Sequence, residues 1–442
     1  MLDREARLSR RKFMASAAGL GVAAAAGQAE PDATDTPPLS RTRPAKLSIK
    51  GRKPLAVITT VYRPLSHSYH IAGRFIHGYA LGNRLHIPKQ YIHSMYVDQI
   101  PDNDLSREAG KEHGVKITRS IEDALTSGGK LAVEGVLLIA EHGNYKPNDK
   151  GQIPYPRFEW MEEIAAVFRK VGKSVPVFND KHLSYTFEKG RKMLARGAEL
   201  HFPIMAGSSL PVVWRRPELE LKLESPVEDG LAATYGPIEI YGFHALEMLQ
   251  VMMERRKGGE TGVKAVTCLT NKDVWRAADA GRWNWDLLES ALARSETVNP
   301  GDIRKNTGSM KVLGHPIVPP TAFLVEYRDG TRGTVLLLNG HMRDFVFAGR
   351  VKGEPRPASC LFCVPAPPGA RFFDAQVMNL EKFFETGKPP YPAERTLLTT
   401  GILDAAMESH YRRGARIETP ELDVRYSAPA DSGFLRGSIA ET

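Results

Sequence analysis

Cysteine is scarce in this chain, with three in 442 residues. Three cysteines cannot form the disulfide framework that holds small secreted domains together. Cys268 stands alone, and Cys360 and Cys363 form a C-x-x-C pair without the second pair of ligands that a structural zinc site usually needs. We therefore expect two partly buried thiols on a strand, and the sequence assigns no role to them.

Long apolar runs and clusters of like charge are also missing. No stretch approaches the roughly 20 apolar residues of a membrane span, so we predict no membrane-spanning helix. The formal net charge is +9, from 60 Lys and Arg against 51 Asp and Glu. Beyond the N-terminus no long basic run occurs and basic residues do not alternate with aromatic ones, which argues against nucleic acid as a partner. The composition, 42% hydrophobic and 25% charged, is that of an ordinary globular protein, and the length favours two domains.

The N-terminus carries the most specific local signal. Arg10 and Arg11 precede an alanine-rich apolar stretch, and residues 27–29 offer a small-residue cleavage site. This pattern resembles a twin-arginine export signal, which carries folded proteins out of the cytoplasm. We therefore predict a signal peptide over residues 1–29, a polar tether over 30–50, and a periplasmic or extracellular mature protein.

Apolar strand patterns alternate with helical patterns over residues 51–208. Strands are predicted at 54–60, 92–97, 135–140 and 175–179, and helices are predicted from Ser66 and at 104–113, 120–126, 157–171 and 185–196. This alternation predicts right-handed βαβ crossovers and a Rossmann-like, doubly wound parallel sheet. Ligands of such sheets bind beyond the carboxyl ends of the strands, so the loops after the strands are where a site is expected.

Those loops concentrate polar side chains that can do chemistry. In chain order they offer Arg63, Ser66, His67 and His70, then Asp98, then Glu141, His142 and Tyr145, and then Asp180, Lys181 and His182. A single histidine at a strand end usually bonds to a nearby backbone carbonyl. Three loops that each present histidine beside a charged residue indicate an active site.

Residues 209–426 show a different pattern. Strands predicted at 262–269, 321–327 and 334–338 indicate an α+β domain with an open, mainly antiparallel sheet. Three tryptophans, Trp275, Trp283 and Trp285, lie close together in the chain, and we expect them in the core. A final amphipathic helix is predicted over 394–412, and residues 427–442 form a tail.

Together these features resemble the Gfo/Idh/MocA family, the relatives of glucose–fructose oxidoreductase and inositol dehydrogenase. The resemblance covers nearly the whole chain after the signal, and it is most specific at residues 135–144 and 395–409. It implies NAD or NADP as the cofactor and a sugar or polyol as the small-molecule substrate. It also makes a homo-oligomer formed through the C-terminal sheet one expectation.

The resemblance implies which side chains carry the reaction. The family's Glu-Lys-Pro motif, whose lysine faces the nicotinamide and the carbon being oxidised, corresponds to Asp180-Lys181-His182. A later family motif matches residues 242–247, but Ile240 stands where the family has Asp. In this interpretation His244 accepts the hydroxyl proton. The implied catalytic residues are Lys181, His244, Asp180 and His182, and the implied substrate-binding residues are Tyr145 and Glu247.

The first loop departs from the family pattern. A dinucleotide site uses G-x-G-x-x-G because only glycine lets backbone amides approach the pyrophosphate closely. Here residues 59–64 read Thr-Thr-Val-Tyr-Arg-Pro, and the next glycine is Gly73. If a nicotinamide dinucleotide is bound, side chains must hold it, and the candidates are Arg63, Ser66, His67, Asp98, Glu141 and His142.

Two classes of enzyme stay open at this point. In the first, the chain is a sugar or polyol oxidoreductase that passes hydride to NAD(P). In the second, the nicotinamide has been lost and a divalent metal assists a sugar lyase or hydrolase, because imidazole and carboxylate are ligands for such metals. The ligands would be His67, His70, Glu141, His142, Asp180 and His182. A third, non-catalytic hypothesis is carbohydrate binding alone.

Overall fold

A computed structural model of the chain describes residues 46–308 and 318–437. The predicted signal peptide over 1–29, residues 30–45 of the predicted tether and residues 438–442 of the predicted tail lie outside the described residues. Within the described ranges, no helix combines the length and the apolar character that a membrane crossing needs.

Strands and helices alternate through the first half of the chain. Its strands are β1 (Lys53–Thr59), β2 (Tyr79–Leu81), β3 (Arg84–His86), β4 (Gln90–Val97), β5 (Lys116–Thr118), β6 (Thr126–Ser127), β7 (Lys130–Leu131), β8 (Gly135–Ile139), β9 (Val177–Asp180) and β10 (Ile204–Gly207). Its helices are α1 (His67–His77), α2 (Ser106–His113), α3 (Ile121–Leu125), α4 (Arg157–Val171) and α5 (Phe187–Glu199).

A parallel sheet forms the centre of this half, in the spatial order β10-β9-β8-β1-β4-β5 among the described residues. β1 lies inside the sheet. β4 and β5 follow it towards one edge, and β8, β9 and β10 follow it towards the other edge, as in a doubly wound Rossmann-like sheet. β8 and the second half of β1 are buried on both faces, as continuous apolar strands in a parallel sheet must be. The strand order reverses between β1 and β8, and ligands of such sheets bind in a crevice beyond the carboxyl ends of the strands at this point.

A second sheet organises the rest of the chain. The strands are β11 (Arg215–Arg216), β12 (Val227–Thr234), β13 (Val263–Thr270), β14 (Thr321–Tyr327), β15 (Arg332–Leu337), β16 (Phe345–Val351), β17 (Ala358–Phe362) and β18 (Ile417–Glu418). The helices are α6 (Ile238–Met253), α7 (Lys272–Asp279), α8 (Trp285–Leu292), α9 (Ile303–Asn306), α10 (Phe372–Thr386) and α11 (Ala393–Tyr411). The spatial order is β11-β17-β16-β12-β15-β14-β13-β18, and β12 pairs with β15 in parallel while the other neighbours are antiparallel.

Helix α11 is bonded to both halves. On the first half, Thr396 Oγ1 donates to the carbonyl of Ala206 at 2.9 Å, and Thr400 Oγ1 accepts from the Leu183 amide at 3.1 Å. On the second half, Ser409 Oγ accepts from the Cys268 amide at 2.8 Å. One continuous hydrophobic core also runs through both halves. The two sheets are therefore fixed to each other by a helix from the C-terminal part of the chain.

The fold class predicted from the sequence is confirmed. A parallel Rossmann-like sheet is followed by an α+β unit whose sheet is mainly antiparallel. The tryptophan expectation is confirmed in the main: Trp283 is 2% exposed and Trp275 8%, and both pack in a second core cluster. The cysteines are more completely buried than expected, since Cys360 and Cys363 are 0% and 3% exposed and unbridged.

Candidate active site

The candidate site lies where the loops after β1, β8 and β9 meet. His67 is the first residue of α1, and Asp180 is the last residue of β9. His67 Nδ1 lies 2.6 Å from Asp180 Oδ2. The ring of His142, from the loop after β8, lies 5.2 Å from the ring of His67. The structure therefore brings together one predicted residue from each of the three loops.

A buried ion triad lies beside this pair. Lys181 Nζ contacts Glu141 Oε1 at 2.8 Å, and Arg157 Nη2 contacts the other oxygen, Glu141 Oε2, at 2.5 Å. Burial by itself would raise the pKa of Glu141, but Lys181 and Arg157 outweigh burial and hold that pKa well below its ordinary value. Glu141 is thus a carboxylate between two cations, and the triad as a whole carries one positive charge.

The backbone is strained at two residues of the site. His142 has φ 69° and Lys181 has φ 63°, in the left-handed region that side chains with a Cβ rarely adopt. The Lys181 amide donates to the carbonyl of Gly207 at 3.2 Å, which fixes this turn against the end of β10. Strain of this kind costs on the order of 1–3 kcal/mol per residue and is concentrated at functional sites. Here it turns the chain sharply at the ends of β8 and β9.

His182 and His244 complete the cluster of imidazoles. His182 Nε2 accepts from Arg157 Nη1 at 3.1 Å, and burial lowers the pKa of His182 well below its ordinary value. His244, on α6, is half-buried. Burial and then the charge of Lys181 lower the pKa of His244 well below its ordinary value. Both histidines are therefore neutral at pH 7, as a proton acceptor must be.

Glu247 lies behind the site, away from solvent. Its Oε2 accepts from the Ser208 amide at 2.6 Å, and its Oε1 is buried without a hydrogen-bond partner. Burial raises the pKa of Glu247 to about 7. The side chain is 0% exposed, and its predicted contact with a substrate stays a prediction.

Asp98 and Tyr145 form a pair at the outer edge of the crevice. Tyr145 Oη donates to Asp98 Oδ2 at 2.6 Å, which joins the loop after β8 to the end of β4. Next to them the Asn144 amide donates to Gln99 Oε1 at 2.8 Å. The predicted cofactor residue and the predicted substrate residue are thus direct partners of each other.

The turn after β1 does not match a dinucleotide seat. A dinucleotide-binding turn has glycine, with no side chain, in this region. Here Tyr62 is 2% exposed and packs in the core. Ser66 caps α1 by accepting from the Tyr69 amide at 3.2 Å, so one amide that a phosphate would use is already bonded. The other end of the turn leads into His67, which is bonded to Asp180. The residues present therefore do not fit a pyrophosphate in the usual pose of this fold.

A metal centre is not preformed in the described part of the chain. No group of three or more His, Cys, Asp or Glu side chains there has the geometry to hold an ion. Both oxygens of Glu141 are paired with cations, and Arg157 donates a hydrogen bond to His182 Nε2. His70 is stacked on Phe373 with ring centres 5.2 Å apart. The six residues of the metal hypothesis therefore take part in separate contacts and do not form one set of ligands.

Sequence reasoning missed two residues of the site. Arg157 is 0% exposed and holds both Glu141 and His182. A signal for it existed, because Arg157 lies on the same helical face as the apolar Trp160, Met161 and Ile164, where a cation is unusual. Glu239 accepts from the Ile153 amide with both oxygens, and burial raises its pKa to about 7. Nothing in the local sequence pointed to Glu239.

Comparison with known proteins supports the fold. No family model matches the sequence, and no curated protein matches it. The structure is similar to that of GenD2 from gentamicin A biosynthesis in complex with NAD, with TM-score 0.51 and 14% identity over 85% of this chain and 99% of that one. It is also similar to an oxidoreductase from Agrobacterium radiobacter in complex with NAD+, L-tartaric acid and magnesium, with TM-score 0.52 and 12% identity over 83% of this chain and 98% of that one.

These likenesses extend over nearly the full length of both neighbours. At such low identity they show a shared fold, a Rossmann-like unit followed by a second α/β unit. The comparisons therefore support the predicted fold. The reaction itself depends on the residues that this chain places in the site.

Proposed function

We propose that this chain is an oxidoreductase of the Gfo/Idh/MocA type that acts on a sugar or polyol. The observation that carries the proposal is the position of Lys181, a buried lysine directly after the carboxyl end of β9, where this fold binds ligands. The two structural neighbours named above support the class, because both were solved with NAD and one is called an oxidoreductase.

The chain's own residues supply the proton chemistry of an alcohol oxidation. Lys181 has three N–H donors and uses one on Glu141, so its other donors can bind a substrate hydroxyl. A cation beside a hydroxyl favours the alkoxide form, which lowers the barrier to oxidation at the attached carbon. A neutral imidazole of the cluster then accepts the hydroxyl proton. The second neighbouring cation, Arg157, shares Glu141 with Lys181, so this carboxylate does not belong to Lys181 alone.

A nicotinamide, when bound, would supply the hydride acceptor. The turn after β1 does not fit its pyrophosphate in the usual pose, because Tyr62 is packed in the core and Ser66 occupies a helix amide. The role of this chain's residues is therefore limited to binding, orientation and proton transfer.

That misfit favours a second candidate, a sugar lyase or hydrolase that uses no nicotinamide. His67, in the segment after β1, contacts Asp180, and the His142 ring lies against it. The same cation and imidazoles would serve proton transfer in such a reaction. The separate contacts of the predicted metal ligands give no support to a metal-assisted form.

Nucleotide titration of the purified protein separates the two candidates. If the chain is the oxidoreductase, NAD+ or NADP+ binds below millimolar in calorimetry, in a pose other than the usual one, and a panel of sugars and polyols produces the absorbance of reduced nicotinamide. Turnover of the same panel without any nucleotide, detected by mass spectrometry of the products, would replace the oxidoreductase with the lyase or hydrolase. Metal analysis of the same sample accompanies the titration.

A further inference from the structure

We propose that His67, oriented by Asp180, is the general base of this site. The turn after β1, which seats a pyrophosphate in other Rossmann-like folds, would then carry out proton transfer in this chain. The inference rests on the proposed function only in taking a sugar or polyol hydroxyl as the group that is deprotonated. It assigns to His67 a role different from cofactor or metal binding.

The geometry of this pair matches an oriented base. Asp180 Oδ2 lies 2.6 Å from His67 Nδ1, and the Asp180 side chain is 1% exposed while that of His67 is 17% exposed. The buried member is therefore the carboxylate, and the imidazole is the member that meets solvent. β8 lies between β1 and β9 in the sheet, so the pair spans the end of β8 at the mouth of the crevice.

The bond to Asp180 determines which nitrogen can act. A carboxylate only accepts hydrogen bonds, so the neutral imidazole carries its proton on Nδ1. Nε2 is then a bare lone pair, and within the described residues it has no hydrogen-bond partner. This is the arrangement in which an acid holds a histidine in the tautomer that can accept a proton and stabilises the imidazolium that forms.

Two ring contacts keep the imidazole of His67 in place. His142 lies at 5.2 Å and Phe373, from α10, at 5.1 Å between ring centres, both in edge geometry. A base whose ring is held on two sides and at Nδ1 loses little freedom when a substrate binds. Phe373 is supplied by the second half of the chain, so both halves contribute to the position of the base.

Within the described part of the chain, no carboxylate orients the rings of His142, His182 or His244 in the same way. His244 Nδ1 and His142 Nδ1 are both buried without a hydrogen-bond partner. Ile240 stands where the family motif has the acid, which agrees with the missing partner of His244. His182 has its Nε2 bonded to Arg157. Among the four, His67 is the one with a carboxylate on one nitrogen and a free lone pair on the other.

The proton-transfer step balances without a further reagent. The O–H bond of the substrate hydroxyl breaks, and its proton forms an N–H bond at His67 Nε2. The electron pair stays on the substrate oxygen as an alkoxide, which Lys181 stabilises. Asp180 remains ionised and pairs with the new imidazolium. This step is the same whether the substrate carbon is then oxidised or undergoes a lyase or hydrolase reaction.

The tautomer of His67 tests the proposal without any substrate. In protein labelled with 15N-histidine, long-range 1H–15N spectra distinguish the two tautomers, and the His67→Gln variant assigns the signals among the 13 histidines. We expect His67 with its proton on Nδ1 and a bare Nε2. A proton on Nε2 would overturn the proposal. The tautomer itself is measured in the wild-type protein.

Asp180→Asn then tests the role of Asp180 as a positioning residue. The substitution keeps the shape, and a circular dichroism spectrum and thermal midpoint verify the fold. We expect His67 to become a mixture of tautomers and its acylation by diethyl pyrocarbonate, followed by peptide mass spectrometry, to slow several-fold. The matched control is Asp104→Asn, which removes a carboxylate bonded to Ser106 outside the crevice. A His67 signal and rate unchanged by Asp180→Asn would overturn the proposal.

These readouts separate the inference from the proposed function. Neither the tautomer nor the acylation rate requires a nicotinamide or a redox step. Failure of nucleotide binding together with the expected His67 results would overturn only the oxidoreductase. Nucleotide-dependent oxidation with His67 in the wrong tautomer would overturn only the base assignment.

Discussion

The ammonium of Lys181 lies 2.8 Å from Glu141 Oε1, and both side chains are at most 4% exposed. Since Arg157 holds the other oxygen, one carboxylate neutralises one of two buried cations. A buried charge is stable only when it is paired, so both cations depend on Glu141. The triad therefore affects both stability and chemistry.

Removing the charge of Glu141 should destabilise the fold. Glu141→Gln keeps the shape but leaves Lys181 and Arg157 facing each other, and breaking a buried pair costs about 3–5 kcal/mol. Urea unfolding followed by circular dichroism measures the change. Glu188→Gln, which removes an exposed partner of Arg191, is the control and should cost less than about 1 kcal/mol. Equal losses in the two variants would contradict this account of the triad.

Stability should depend on the protonation of Glu247. Burial raises the pKa of Glu247 to about 7 from its ordinary 4.5, so between these values the native state keeps a proton that the unfolded state releases. The stabilisation is complete below pH 4.5 and is lost as the pH rises through about 7. Glu247→Gln removes this dependence, and relative to wild type it should gain about 3 kcal/mol between about pH 4.5 and about pH 8.

Urea unfolding at several pH values measures the effect of Glu247. Glu228→Gln, at an exposed position of β12, is the matched control and should run parallel to wild type at every pH. A Glu247→Gln curve that is also parallel to wild type would show that the carboxyl group is not held in its neutral form.

Substitution of Lys181 or His67 should lower activity more than substitution of His244. Lys181→Met and His67→Gln should each lower kcat by a factor on the order of 10² or more, because each removes a positioned acid–base or electrostatic group. His244→Gln should lower it less, since no acid orients that ring. The readout is turnover of whichever sugar or polyol is converted, and Lys192→Met, exposed on α5, is the control. A larger loss at His244 than at His67 would favour the family's assignment.

The close approach of Gly207 to Glu247 should make glycine indispensable there. Gly207 has φ 123°, and a Cβ atom at this position would lie 2.6 Å from Glu247 Oε1. Gly207→Ala should therefore cost more than the roughly 1–3 kcal/mol of backbone strain alone. Gly387→Ala is the control, since Gly387 has φ 68° but open space around its missing Cβ. Thermal unfolding of both variants tests this, and equal midpoints would refute the steric part.

Export is tested on the full-length precursor. We propose that the twin-arginine pattern directs the folded protein out of the cytoplasm and that cleavage occurs near residue 29. Arg10→Lys combined with Arg11→Lys should leave unprocessed precursor inside the cell, seen by fractionation and N-terminal sequencing. Normal export and processing of the doubly substituted precursor would show that another route is used.

The sequence predicted that the side chains of the site share one edge of the sheet, but it did not predict their contacts. His67 and Asp180 lie at the carboxyl ends of strands of one parallel sheet, so their common edge could be foreseen. Their bond could not, because it depends on the rotation of α1 relative to β9. Arg157 and Glu239 were missed because they act from helices outside the strand loops.

Some elements were missed for a different physical reason. Helix α6 is buried on nearly all sides, so it shows no polar face and little helical periodicity. β16 is buried on both faces over residues 345–349 and shows no alternation of polar and apolar residues. Hydrophobic periodicity arises where one face of an element contacts water and the other does not. It is therefore weak in an element that has almost no contact with water.

The attachment of α11 to both sheets has a consequence for ligand binding. Thr396 and Thr400 hold the first sheet and Ser409 holds the second, so the halves cannot swing apart without breaking buried hydrogen bonds. We therefore expect the two halves to keep their relative position when a ligand binds.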